Sequence, residues 1–109
     1  MISLKTLSVA SLIALGSWSA SAQPNASADL NTRALAATCA ACHGTDGRAV
    51  PGAAVPRLAG LPKATLVAQM KAFKDGSRPA TLMHQLSKGY TDEQITVLGD
   101  YFAAIKPQQ

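Results

Sequence analysis

The chain has 109 residues and a formal net charge of +4, ten Lys and Arg standing against six Asp and Glu. That length leaves room for one small folded domain, and so slight a charge balance makes no electrostatic case for nucleic-acid binding. Beyond the N-terminal segment no stretch is long and apolar enough to span a bilayer.

Met1 to Ala22 has the layout of a secretory signal peptide: Lys5 in a short leading region, an apolar run from Leu7 to Leu15, and Ala20-Ser21-Ala22 as a small-residue cleavage site before Gln23. The run is short for a membrane span, so the competing reading, an uncleaved anchor, fits less well. Cleavage would deliver the mature chain beyond the inner membrane, to the periplasm. Removing 22 residues from 109 leaves 87, close to the size at which an apolar core alone is marginal. Nine basic against six acidic residues then remain, a charge of +3.

Residues 23–29 read as a polar, flexible leader containing Pro24, and residues 30–109 as the domain. Asp29 or Asn31 is placed to cap a helix through Leu30, Ala34, Leu35 and Ala37 that runs into Cys39-Ala40-Ala41-Cys42-His43 and stops at Gly44. Cys39 and Cys42 are the only cysteines in the sequence. The C-x-x-C-H pattern is the signature of covalent c-type haem attachment. On a helix, positions i, i+3 and i+4 share a face, so both thiols and the imidazole address one flat object. In that reading Cys39 and Cys42 form thioethers with the haem vinyl groups and His43 approaches the iron. A strained disulfide, a redox dithiol and half a zinc site are the other chemistries open to C-x-x-C. A thioredoxin-like dithiol calls for a βαβ pattern and zinc for more ligands, and the sequence contains neither. A haem would contribute a large apolar plate to the core, which implies a poorly folded apoprotein.

Gly44 to Gly60 holds Gly44, Gly47, Gly52, Gly60, Pro51 and Pro56 with no sustained period, the composition of a long loop wrapped around something. It has neither the spacing nor the preceding strand of a phosphate-binding loop. Leu61-Pro62 opens a second helix with Leu66, Met70 and Phe73 at i, i+4, i+7 and Gly76 as its stop. Met70 lies in that apolar stripe and is read as core. Pro79 prevents continuation, and a loop or short helical turn between it and Gly89 carries Met83 and His84, either of which can ligate iron. Met83 would give a high-potential, six-coordinate carrier; His84 would give bis-histidine iron at lower potential. Thr91-Asp92-Glu93-Gln94 is a capping box that opens a third helix with Ile95, Leu98, Phe102 and Ile105 on its apolar stripe and Tyr101 beside it. Pro107 ends it. Lys63, Lys71, Lys74, Arg78 and Lys88 would steer an acidic partner if they gather on one side; scattered solvated faces are the plainer reading.

Taken together, Cys39 to Gly47, Pro56 to Gly60, Ala72 to Arg78 and Thr91 to Phe102 resemble class I cytochromes c, with particular similarity to cytochrome c4-type domains and to the haem subunit of flavocytochrome c sulfide dehydrogenase. Thr81 to Asp92 is especially similar to the latter. The resemblance implies an all-α fold of three main helices around one covalently bound haem c. It implies thioethers at Cys39 and Cys42, His43 as proximal and Met83 as distal ligand, and a Pro56 carbonyl that accepts the other ring N–H of His43. It also implies that Tyr101 and Phe102 pack on the first helix. Arg57 and Arg78 are candidates for the propionates by charge alone. A single haem motif argues against a dihaem form. The function implied is a one-electron carrier, accepting electrons from a flavoprotein such as sulfide dehydrogenase. A free shuttle to a terminal oxidase or reductase, and a haem enzyme or gas sensor with an open distal site, are the alternatives.

Overall fold

The computed structural model describes residues 24–107, with side chains from Asp29 onward. The signal segment expected at Met1–Ala22 lies outside them. The described residues are helical with no strand: α1 (Pro24–Ala37), α2 (Ala40–His43), α3 (Lys63–Asp75), α4 (Met83–Leu86) and α5 (Asp92–Ala104). Single 3-10 turns occupy Thr45–Gly47 and Ser87–Gly89. The three long helices are the expected ones, in the expected order.

α5 is the spine. Its start is fixed reciprocally: the Gln94 amide donates to the Thr91 hydroxyl at 3.2 Å and the Thr91 amide donates to the Gln94 side chain at 2.9 Å. Ile95, Leu98 and Phe102 are buried almost completely and meet Leu66 and Met70 of α3 and Ala36 of α1 in one core. The α3–α5 crossing is close because Gly99 faces α3; a Cβ there would come within 3.1 Å of Lys63 and Val67. Lys63 pairs with Asp100 at 2.8 Å, and Lys71 and Lys74 reach Asp92 at 3.3 and 3.1 Å. These solvated pairs stitch α3 to α5 with little energy.

Three boundaries differ from expectation, the smallest shift being at α5, which stops at Ala104 and leaves Ile105 extended rather than on the helix's stripe. The backbone is helical from Pro24, so the leader placed at 23–29 belongs largely to α1; proline is well suited to a first helical turn, where its missing N–H has no partner to lose. The helix also does not run unbroken into the motif. At Thr38 and Cys39 the amides bond to the carbonyls three residues back, Leu35 and Ala36, at 3.3 and 3.1 Å. The Thr38 hydroxyl donates to the Leu35 carbonyl as well, at 2.7 Å. Such back-bonding competes with helical continuation, and the motif occupies its own short helix.

The segment after His43 is pinned to α5. Asp46, at φ 54°, accepts from Tyr101 Oη at 2.9 Å and from Arg48 at 2.8 Å. The Gly47 carbonyl accepts from the Leu58 and Ala59 amides, and the Gly60 amide donates to Phe102. The loop is thereby folded back against the C-terminal helix.

Candidate functional site

Leu66, Met70, Leu98 and Phe102 have a second face. Besides packing the core they line a cavity of about 510 Å³, so the core is open on one side. Across it lie Thr38, Cys39, Cys42 and His43 from the α1–α2 junction, Val55, Pro56 and Leu58 from the long loop, and Arg78 to Met83 with Leu86 and Tyr90 from the segment after α3. The volume is that of a pocket for a large ligand. Its walls are largely aliphatic and aromatic, interrupted by two thiols, an imidazole and the thioethers of Met70 and Met83.

His43 is buried at 8% exposure. Its Nδ1 lies 2.7 Å from the Pro56 carbonyl oxygen. A carbonyl can only accept, so Nδ1 carries a proton, and in the neutral ring Nε2 then keeps its lone pair. The chain can turn sharply behind the ring because Gly44 sits at φ 82°, where a Cβ would meet the Arg48 carbonyl oxygen at 2.6 Å. Cys39 and Cys42 are free thiols, which removes the disulfide reading. Burial pushes the Cys39 thiol up from its ordinary pKa, against a smaller opposing pull from Thr38. No group of three or more His, Cys, Asp or Glu side chains suited to a metal ion occurs among the described residues.

The two candidates for a second ligand separate. Met83, first residue of α4 and half-buried, lines the cavity; His84 does not, and its Nδ1 is buried without a hydrogen-bond partner. The two arginines separate as well. Arg78 lines the cavity, its guanidinium carbon 4.8 Å from the centre of the Phe73 ring, whereas Arg57 lies outside the lining. Of the basic residues proposed for steering, Lys63, Lys71 and Lys74 are engaged with Asp100 and Asp92. Sequence reasoning missed Thr38 and Tyr90, whose hydroxyls meet at 2.7 Å across 52 residues of chain; no local pattern announces such a pair.

Two thiols, an imidazole nitrogen, and the thioethers of Met70 and Met83, all on a largely apolar lining, suit a flat apolar macrocycle carrying a central iron. The family comparisons agree. Residues 31–106 match the cytochrome c family model. The chain is 43% identical over 72 residues to the thiosulfate dehydrogenase electron acceptor of Thiomonas intermedia, a match covering 66% of this chain and 33% of that one. It is 38% identical over 68 residues to the cytochrome subunit of sulfide dehydrogenase of Chlorobaculum tepidum, covering 62% and 60%. With cytochrome c-554(548) of Halomonas halodenitrificans it shares 37% identity over 70 residues, 62% of this chain and 83% of that protein. The match thus spans a third of the first relative and somewhat under two thirds of the second. The chain belongs to the cytochrome c family, as a class I c-type cytochrome with a site for covalently bound haem c.

Proposed function

We propose that the protein is a periplasmic one-electron carrier whose haem is held by thioethers at Cys39 and Cys42 and ligated by His43 Nε2 and Met83 Sδ, and that its electron donor is a dehydrogenase of reduced sulfur compounds. The observation that carries the ligand set is the 2.7 Å bond from His43 Nδ1–H to the Pro56 carbonyl. It aims the unprotonated nitrogen away from the loop, and His43 and Met83 border the same cavity as both thiols. Bound there, haem c supplies an iron that alternates between ferrous and ferric states.

The chain's own groups do the rest. Cys39 and Cys42 would hold the group by thioether bonds, each S–H adding across a vinyl double bond so that no oxidant would be needed. The Pro56 carbonyl keeps the imidazole in one orientation and raises its basicity. Met83, on the same lining, would offer the iron a thioether, a ligand that favours the ferrous state and would leave no position open to oxygen. Leu66, Met70, Leu98 and Phe102 exclude water from one side of the site. Arg78 is the cation placed to approach a propionate, since it alone of the two candidate arginines borders the cavity.

The ligand set is tested by near-infrared absorption of the ferric protein, where a sulfur-to-iron charge-transfer band is expected and should vanish in Met83→Leu. A band that persists in that variant would overturn the assignment. The donor class rests on the names of the Thiomonas and Chlorobaculum relatives. Purification from the native host should bring down a larger dehydrogenase chain, flavin-containing if the partner is of the sulfide type. The Halomonas relative, most of whose length the match covers, favours a second reading, a free shuttle to an oxidase or reductase; a solitary monomer that no sulfur-dehydrogenase preparation reduces would select it. The periplasmic assignment rests on Met1–Ala22 as a cleaved signal and predicts a mature chain starting at Gln23, checked by intact mass.

A further inference from the structure

The segment that carries Met83 is tied to α3 at both ends. At its start the Arg78 amide donates to the Ala72 carbonyl at 3.0 Å and the guanidinium stacks on Phe73. At its end Lys74 Nζ donates to the Tyr90 carbonyl at 2.8 Å. Neither tie reaches the opposite wall, where Cys39, Cys42 and His43 stand. The link to that wall is a side chain: Tyr90 Oη and Thr38 Oγ1 are 2.7 Å apart, and both residues border the cavity.

The direction of that bond follows from proton accounting. A threonine hydroxyl has one proton, and Thr38 donates it to the Leu35 carbonyl at 2.7 Å. Tyr90 is therefore the donor to Thr38. The result is a directed chain, Tyr90 to Thr38 to Leu35, that fastens the end of the Met83 segment to the turn immediately before Cys39. Thr38 is held from both sides at the residue where the helix breaks and the motif begins.

We propose that Tyr90 is a positioning residue for the sixth ligand: its hydroxyl clasps the Met83 segment to the Cys39 wall of the cavity and so restrains dissociation of the Met83 sulfur from the iron. The inference rests on Met83 as the second axial ligand. Exogenous ligands can bind only when that sulfur departs, so the clasp is read out by how fast they do. One net hydrogen bond corresponds to roughly a fivefold change in the open population.

The experiment uses the haem-loaded ferric protein and imidazole as the probe, in wild type, Tyr90→Phe, Thr38→Val, the double variant, and Tyr101→Phe. The last loses a hydroxyl bond of similar length, to Asp46, far from Met83 in the chain, and controls for general loosening. Imidazole capture should accelerate roughly fivefold in Tyr90→Phe and in Thr38→Val, no further in the double variant, and not in Tyr101→Phe even where its melting temperature falls. Should Tyr90→Phe fail to accumulate, Thr38→Val removes the same bond from the other side. Capture at the wild-type rate in both singles, with the sulfur-to-iron band intact, overturns the clasp alone. Absence of that band from wild type overturns the ligand assignment and the clasp with it.

Discussion

Gly47 joins the haem motif to the C-terminal helix, and replacing it with alanine tests that joint. It lies at φ 71°, is buried, and an added Cβ would stand 2.8 Å from Leu58 Cβ, 2.8 Å from Phe102 Cε1 and 2.9 Å from Phe102 Cδ1. Two costs combine. Holding an L-residue in the left-handed region costs about 1–2 kcal/mol, and forcing extra volume into a packed site costs about 1–3 kcal/mol. Phe102 is 1% exposed and has no solvent side toward which to yield, so Gly47→Ala should lose roughly 2–5 kcal/mol. Gly52 is the internal control, since it sits at φ 81° with nothing within 4 Å of its would-be Cβ. Gly52→Ala should therefore show the backbone cost alone, about 1–2 kcal/mol. The assay is guanidinium unfolding of the haem-loaded protein followed by far-ultraviolet circular dichroism, with the slope checked for constancy. Equal losses in the two variants would refute the steric part of the reasoning, and a Gly47→Ala protein as stable as wild type would refute all of it.

Phe102→Ala should cost about 3–5 kcal/mol and also perturb the haem spectrum, because the ring is both core and cavity wall; a loss of stability with an unchanged spectrum would separate the two roles. The Asp92 carboxyl is held below its ordinary pKa chiefly by the hydrogen bond from Lys74, then by that from Lys71. A depressed folded-state pKa contributes stability that is complete above the unfolded value and is lost as pH falls through the folded one. Asp92→Asn should accordingly flatten the acid limb of melting temperature against pH, and parallel curves for the two proteins would count against it. Mature chain produced without haem should show weak, non-cooperative helical dichroism, since its core is open along the whole cavity; a sharp cooperative melt of the apoprotein would show that α3 and α5 suffice.

What could be read from residues alone depended on the range of the interaction. The capping box at Thr91, the proline ahead of α3 and the glycine stops are local devices, and the helices they delimit lie where the pattern placed them. The haem motif was equally legible because its spacing is itself the chemistry. The start of α1 was obscured by a proline that reads as a breaker but sits at a helix N-terminus. The break at Thr38 depends on one hydroxyl choosing a backbone carbonyl, a choice open to any threonine. The lysines of α3 looked available for a partner until the fold brought Asp92 and Asp100 beside them. None of these outcomes has a sequence period, so pattern reasoning had nothing on which to act.

The motif helix shows why attachment and folding are one problem here. Four residues, Ala40–His43, are far too few to hold a helix in water, where nucleation alone is unfavourable. Their geometry is imposed from outside: by the Thr38 turn before them, by Gly44 behind them, and by the Pro56 carbonyl that fixes the His43 ring. Pro56 is in turn carried by a loop that closes on itself through the Gly47 carbonyl, packs at Gly47 against Phe102, and is bonded to α5 through the Gly60 amide. The orientation of the His43 ring thus depends on packing around Phe102, near the other end of the described chain. Substitutions in that packing should move stability and the reduction potential together, whereas substitutions at the Tyr90–Thr38 clasp should move access to the sixth position more than either.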